Sequence, residues 1–332
     1  MAPEAPNRRL YVTLQRRLGF NKYHNMVLWL VTGSIMAMFV LDRARAYSNF
    51  DAYIQIKYTT GERWVMNNIP LQRFGMMLHI VSIVPCGLLS IFQFVPTLQQ
   101  KSPGLHRLSG TIILLLLLPL SCVSGMILGR EALGGDFATQ TSCAFLSAIT
   151  LGAAAMSWYN ARVLRLHRHR EWVLRCMGYM SSIITSRPFL IAGAVVIGWN
   201  RKYENIWKCE QLADVFTATQ RVVTDVYPTC GNLSSSVVVP AHFEEEENIG
   251  SCFRLSFGGS LWMAIVVHAI GIEIYINLTQ DESERLRLIS RKRRRDAWLE
   301  SGAVKGGDGV MEAGSEQMEH VVRASGNDAV ET

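Results

Sequence analysis

Six long apolar runs separated by hydrophilic stretches constrain this chain more than any other feature. They fall at about residues 26–40, 74–95, 108–128, 143–159, 172–199 and 257–276. Lipid offers no hydrogen-bond partner to a peptide group, so a segment that crosses a bilayer must satisfy its own backbone, and apolar runs of this length predict helices. Of the 332 residues 49% are hydrophobic, an excess that membrane spans account for. The expected fold is all-α: an integral membrane bundle of about six transmembrane helices.

The formal charge of +6 lies in short blocks beside the apolar runs. Such blocks act as topology signals and contacts to anionic lipid, which excludes nucleic acid as the partner and leaves the bilayer. The N-terminus, the second-to-third connection, the fourth-to-fifth connection with Arg162, Arg165, Arg168 and Arg170, and the run Arg291 to Arg295 are basic; the loops between them are mixed or acidic. The expectation is that both termini are cytoplasmic: a basic N-terminus over 1–25, a membrane domain over 26–280 with a lumenal loop at 200–256, and a basic then disordered tail over 281–332. Arg8, Arg9, Arg16 and Arg17 lie too far ahead of the first run for a cleavable signal, so the first span would target the chain, to the endoplasmic reticulum or alternatively the plasma membrane.

The lumenal segment would carry a glycosylation acceptor at Asn232-Leu233-Ser234, whereas Asn277-Leu278-Thr279 would face the cytoplasm unmodified. Cys209, Cys230 and Cys252 share that segment, which allows one disulfide and one remaining thiol, the pairing being open. No CxxC pair and no zinc spacing is present. Tyr47, Tyr53, Tyr58 and Trp64 suggest that the loop at 43–71 lies on the membrane interface.

Polar residues within the runs are costly in lipid and are therefore functional candidates. At about 1.5 Å of rise per residue, His79 and Arg187 fall in the lumenal half, with Asp42 and Glu131 at the lumenal rim. These four are expected to form one cluster, the carboxylates offsetting the guanidinium. Near the cytoplasmic ends, His106, His169, Arg175 and Glu273 form a second polar layer, with His268 nearer the midplane. Each has a bland alternative. Lone histidines hydrogen-bond neighbouring helices, and Arg187 beside Pro188 can satisfy carbonyls that the proline frees.

Four blocks between Leu78 and about Phe189 carry a family likeness: Leu78-His79; Phe92-Gln93-Phe94 with Pro96; Leu105-His106-Arg107 with Gly110; and His169 with Trp172 and Arg175. Ser124-Gly125 and Arg187 also fit. This stretch resembles a family of bacterial and fungal multi-pass membrane proteins known mainly as a domain of unknown function. Leu108 stands where that family tends to have Trp. Fungal proteins of this appearance look like membrane-bound terpene cyclases of secondary-metabolite, meroterpenoid pathways.

That resemblance implies an enzyme acting on a lipophilic prenylated substrate by acid-initiated ring closure, with no cofactor. Such chemistry needs a proton donor and apolar or aromatic walls that exclude water. The candidate acids are Asp42, Glu131 and Glu273, assisted by His79 or His268; Arg187 would orient a polar head, and Trp158, Tyr179, Trp199 and Trp262 are candidate walls. An alternative is a b-type haem electron-transfer protein ligated by His106 and His169, or by His79 and His268, although His79 and His268 differ in depth by roughly 8 Å. A third reading is a non-catalytic scaffold or transport accessory.

Overall fold

The computed structural model describes residues 13–20 and 22–305. Arg8, Arg9 and the end at 306–332, expected to be disordered, lie outside the described residues. Among those described, six helices are long and apolar enough to cross a membrane: Tyr23–Tyr47, Pro70–Gln93, Pro103–Gly129, Phe137–Arg162, Leu166–Asn200 and Glu246–Leu278, here spans one to six. Each runs past its apolar stretch, because a helix that has left the hydrocarbon goes on satisfying its own backbone. The fourth-to-fifth connection is correspondingly short, and His167 to Arg170 lie on the first turn of span five.

Span three is not one regular helix. Pro103–Ile112 passes through a π-helical turn at Ile113–Leu117 into Leu118–Gly129. Pro119 sits just beyond the widened turn; it lacks an N–H, and its ring would crowd the carbonyl four residues back in a regular helix.

Polarity in the bundle is the reverse of that in a soluble protein. Val31, Ile35, Met38, Leu41, Val196, Met263 and Ile270 are exposed, while Ser82, Ser121, Ser124, Ser157, Ser182 and Ser186 are buried. Small residues let helices approach closely, and their hydroxyls bond across or along them. Ser121 donates to Ser82 at 2.9 Å, and Ser256 donates to the Leu190 carbonyl at 3.0 Å. Gly258 packs on the backbone at Ala138, where a Cβ would collide. Successive spans pack on one another, and span six packs on both four and five.

One end of the bundle carries a folded cap. Strands β1 (Glu204–Lys208) and β2 (Ser236–Pro240) pair antiparallel, with Glu204 opposite Pro240. Helix Cys209–Ala218 packs against them through Trp207, Leu212, Val215, Phe216 and Val239. Cys209 and Cys230 form the disulfide, and Cys252 is the buried free thiol.

The segment after span one, expected to lie on the membrane interface, is folded onto the bundle. It forms helices Phe50–Lys57 and Thr60–Asn68, whose Tyr53, Ile54, Val65 and Met66 pack on Val40, Ile80 and Val84. These aromatics turn inward because their hydroxyls find partners there: Tyr53 accepts from Arg43 Nη1 at 2.6 Å, and Tyr58 donates to Met76 Sδ at 3.2 Å.

A buried ion pair ties the cap down. Arg254 Nη2 donates to Glu62 Oε1 at 3.2 Å and to Gln211 Oε1 at 3.1 Å, and Glu62 Oε2 accepts the Leu133 N–H at 3.0 Å. The Arg254 guanidinium lies 3.5 Å from the Trp207 ring centre. Burial pushes the Glu62 carboxyl above the usual carboxylate range, while Arg254 and the Leu133 N–H oppose it.

At the opposite end, helix Gln280–Lys305 carries the basic block. It docks on the start of span five, where Ser290 Oγ accepts the Leu166 N–H at 2.9 Å.

Candidate functional site

A cleft of about 1590 Å³ separates span one from spans five and six. It follows span one from Lys22 to Arg43, roughly 30 Å along the helix, close to the hydrocarbon thickness of a bilayer. Its middle is apolar: Met36 and Phe39 of span one, Ile83 and Ile91 of span two, and Met177 and Ile184 of span five face it. Trp29 also lines it, its indole N–H donating to the Ile91 carbonyl at 3.0 Å.

The end beside the termini is basic and imidazole-bearing. Lys22, Arg107, Arg162, Arg170 and Arg285 line it, against Asp281 and Glu282. Several of these are engaged: Lys22 pairs with Asp281 at 3.1 Å, Arg170 donates to Thr279 at 2.7 Å, and Arg162 lies over the Trp158 ring at 5.7 Å. His106 of span three and His169 of span five both line this end, close enough that charge on one bears on the other.

Local partners fix what each ring can do. His169 Nδ1 lies 2.9 Å from the Ser157 carbonyl, which can only accept, so Nδ1 carries the proton and the neutral ring keeps its lone pair on Nε2. His106 Nδ1 is buried and has no hydrogen-bond partner among the described residues, so no contact fixes the tautomer of that ring. The His169 tautomer is assigned from its hydrogen bonding. His169 thus keeps an Nε2 lone pair, and His106 brings a second imidazole to the same end of the cleft.

The expected lumenal cluster does not form. Asp42 is held by Lys57 at 2.6 Å and Arg45 at 3.4 Å, and Glu131 reaches Lys208 at 3.5 Å. His79 Nδ1 is bound between spans two and three by Ser124 Oγ at 3.1 Å and the Ser121 carbonyl at 3.3 Å. Arg187 has Arg43, Tyr58 and Tyr53 as its electrostatic neighbours and no carboxylate among them. The sequence misplaced these groups because depth along a helix says nothing of rotation about its axis, and each carboxylate found a flexible cation at the surface instead.

The second layer does form in part. Glu273 accepts from Arg175 Nε at 2.6 Å and Nη2 at 2.9 Å, a two-point pair. None of the expected acids, Asp42, Glu131 or Glu273, lines the cleft, and neither does His79. His268 does, with Nε2 held 2.8 Å from Thr185 Oγ1. Of the expected wall aromatics only Trp158 faces the cleft. Trp199 is 80% exposed, and Trp262 stacks on Phe145 at 5.0 Å. Trp29, Phe39 and Tyr275 were missed; nothing in an apolar run marks which aromatic faces inward. Asn232 is exposed on the cap.

No solved structure matches the chain. It is 24% identical over 310 aligned residues to Ava biosynthesis cluster protein G of Aspergillus versicolor, covering 78% of this chain and 90% of that protein. Residues 76–207, from span two into β1 and including His79, His106, His169 and Arg187, match the model of a family described as a predicted membrane protein, DUF2306.

Proposed function

We propose that this is a membrane-embedded enzyme of a secondary-metabolite pathway that draws a lipophilic substrate into the cleft and performs proton-transfer chemistry, most simply the ring closure of a prenylated molecule. The observation that carries this reading is the pairing of a long apolar cleft with two imidazoles at one end, one of them oriented by the Ser157 carbonyl. A terpenoid chain partitions into lipid and reaches such a site without a soluble carrier. Ring closure needs an acid where the electrophile sits and a base to collect a proton afterwards; of the two imidazoles His106, as imidazolium, gives the proton and neutral His169 takes one up at Nε2, in place of Asp42, Glu131 and Glu273, which do not line the cleft. Trp29, Phe39 and Trp158 offer ring faces to a developing cation, each worth about 0.5–2 kcal/mol.

The relative named for a biosynthesis cluster supports the metabolic setting. The same histidine pair favours one further reading, a single b-type haem, since an imidazole whose Nδ1–H is held by a carbonyl is oriented for ligation through Nε2. His79 and His268 are engaged by Ser124 and Thr185, so the arrangement supports one such group and not two.

One preparation tests both. Membranes containing the chain are supplied with an epoxide-bearing farnesylated substrate, and the purified protein is scanned for a reduced-minus-oxidised haem band. The enzyme reading expects a flat spectrum and product that falls about 100-fold or more in His106→Gln and in His169→Gln. Undiminished turnover in both folded variants removes the imidazoles from the chemistry, and a stoichiometric haem band that both variants abolish replaces the reading.

A further inference from the structure

At the capped end of the cleft two guanidiniums neighbour each other, and among the described residues neither hydrogen-bonds a carboxylate. Arg43 closes span one and lines the cleft. Arg187 is not itself part of the lining; it lies on span five at positions +3 and +7 from Ile184 and Met180, which are, and so continues the same helical face one turn beyond the lining. Each guanidinium is an electrostatic neighbour of the other. Arg43 has one hydrogen bond, to the Tyr53 hydroxyl at 2.6 Å. Arg187 has none among the described residues. Its Nε is enclosed and unpartnered, and its nearest aromatic contact is the Phe257 ring at 6.0 Å.

Asp42 is the carboxylate whose charge Arg43 feels, but among the described residues no carboxylate hydrogen-bonds either guanidinium. Asp42 is taken by Lys57 and Arg45, and Glu62 by Arg254 and the Leu133 N–H. Burial pushes the Tyr58 phenol above its usual range, so it stays neutral beside the two cations. Pro188 follows Arg187 and frees a carbonyl one turn back, yet the guanidinium does not reach it, which removes the purely structural role expected of an arginine at such a kink. An arginine at this depth with unused donors is costly unless something binds there.

We infer that Arg43 and Arg187, with the Tyr53 hydroxyl, form an anion site at the capped end of the cleft that takes the acidic head, carboxylate or phosphoryl, of an amphiphile whose apolar chain lies along the cleft toward His106 and His169. This names the head of the substrate and rests on the cleft being the substrate site. The planar donor forks suit two oxygens of one acidic group, and the roughly 30 Å of apolar wall suits a long chain.

The test is binding in detergent by thermal shift, with oleate, oleyl alcohol and 1-oleoyl lysophosphatidate as probes. Both acids are expected to raise the melting temperature and the alcohol to do so far less. A larger shift with oleate assigns a carboxylate, a larger one with lysophosphatidate a phosphoryl head. Arg187→Gln and Arg43→Gln should each weaken the acids by about tenfold or more, while Arg73→Gln, a guanidinium paired with Asp51 at the same end, leaves them unchanged. Arg187→Lys keeps the charge and should retain part of the affinity. Equal stabilisation of the wild type by acid and alcohol overturns the site whether or not the variants fold, as does unchanged acid binding in both glutamine variants. Oleate binding to His106→Gln reads this site apart from turnover, so loss of the catalytic reading and loss of the anion site are separate results.

Discussion

Glu273 shows how a carboxylate that looks reactive in sequence is committed once its neighbour is known. Both of its oxygens accept from Arg175, whose guanidinium also lies 4.8 Å from the centre of the Trp172 ring. The carboxylate side chain is 45% exposed, so the pair is screened and contributes on the order of 1 kcal/mol. Glu273→Gln should therefore lower the melting temperature slightly and leave turnover within about threefold of wild type. Loss of product from a folded Glu273→Gln would return that acid to the chemistry. The shared depth of Glu273 and Arg175, and of His106 and His169, was legible from counting residues along helices. Which groups face the cleft was not, because that depends on how each helix is turned about its axis, and His79, at a suggestive depth, turns toward Ser124 instead.

At the scale of elements, the long apolar runs announced the spans, since about twenty apolar residues in succession have few other uses. The short pieces were hidden. Phe50–Lys57, Thr60–Asn68 and the β1–β2 ribbon are too short to be stable alone and owe their form to what they pack on. Glu62 sits in a polar stretch that reads as loop, yet it is 5% exposed and holds Arg254, 2% exposed, from 192 residues away. Arg254 in turn joins span six to Gln211 and to Trp207, so this one pair fastens the cap, the segment after span one and the third-to-fourth connection together. Arg254→Gln leaves a buried carboxylate without its cation, a loss of about 3–5 kcal/mol. The expected result is a markedly lower melting temperature and protease cleavage within the cap, while the Glu273→Gln protein resists. A cap as resistant in Arg254→Gln as in wild type would show that the ribbon and disulfide hold it without the ion pair.

For the whole molecule the outstanding quantity is its sense in the membrane, because that decides which compartment meets the imidazole end of the cleft. The single crossing of span six puts the cap on the side opposite the helix Gln280–Lys305. Arg162, Arg165, Arg168, Arg170 and the run Arg291 to Arg295 lie on the side of that helix, while the acidic run Glu244 to Glu247 lies beside the cap. Positive residues stay in the cytoplasm, and a disulfide persists in an oxidising compartment, so both arguments predict a lumenal cap. The sequon provides the readout. Asn232 is exposed and turned outward, its side chain accepting only the Ser234 N–H at 3.1 Å, whereas Thr279 of the other sequon is 8% exposed at the opposite end. In a eukaryotic secretory host the chain should carry one glycan that an endoglycosidase removes and Asn232→Gln abolishes, with Asn277→Gln silent. That outcome sets His106 and His169 against the cytosol and the Arg43–Arg187 end toward the lumen, so a substrate made on the cytosolic side would meet the imidazoles first. A glycan on Asn277 instead would invert the bundle and require the substrate to come from the lumenal leaflet.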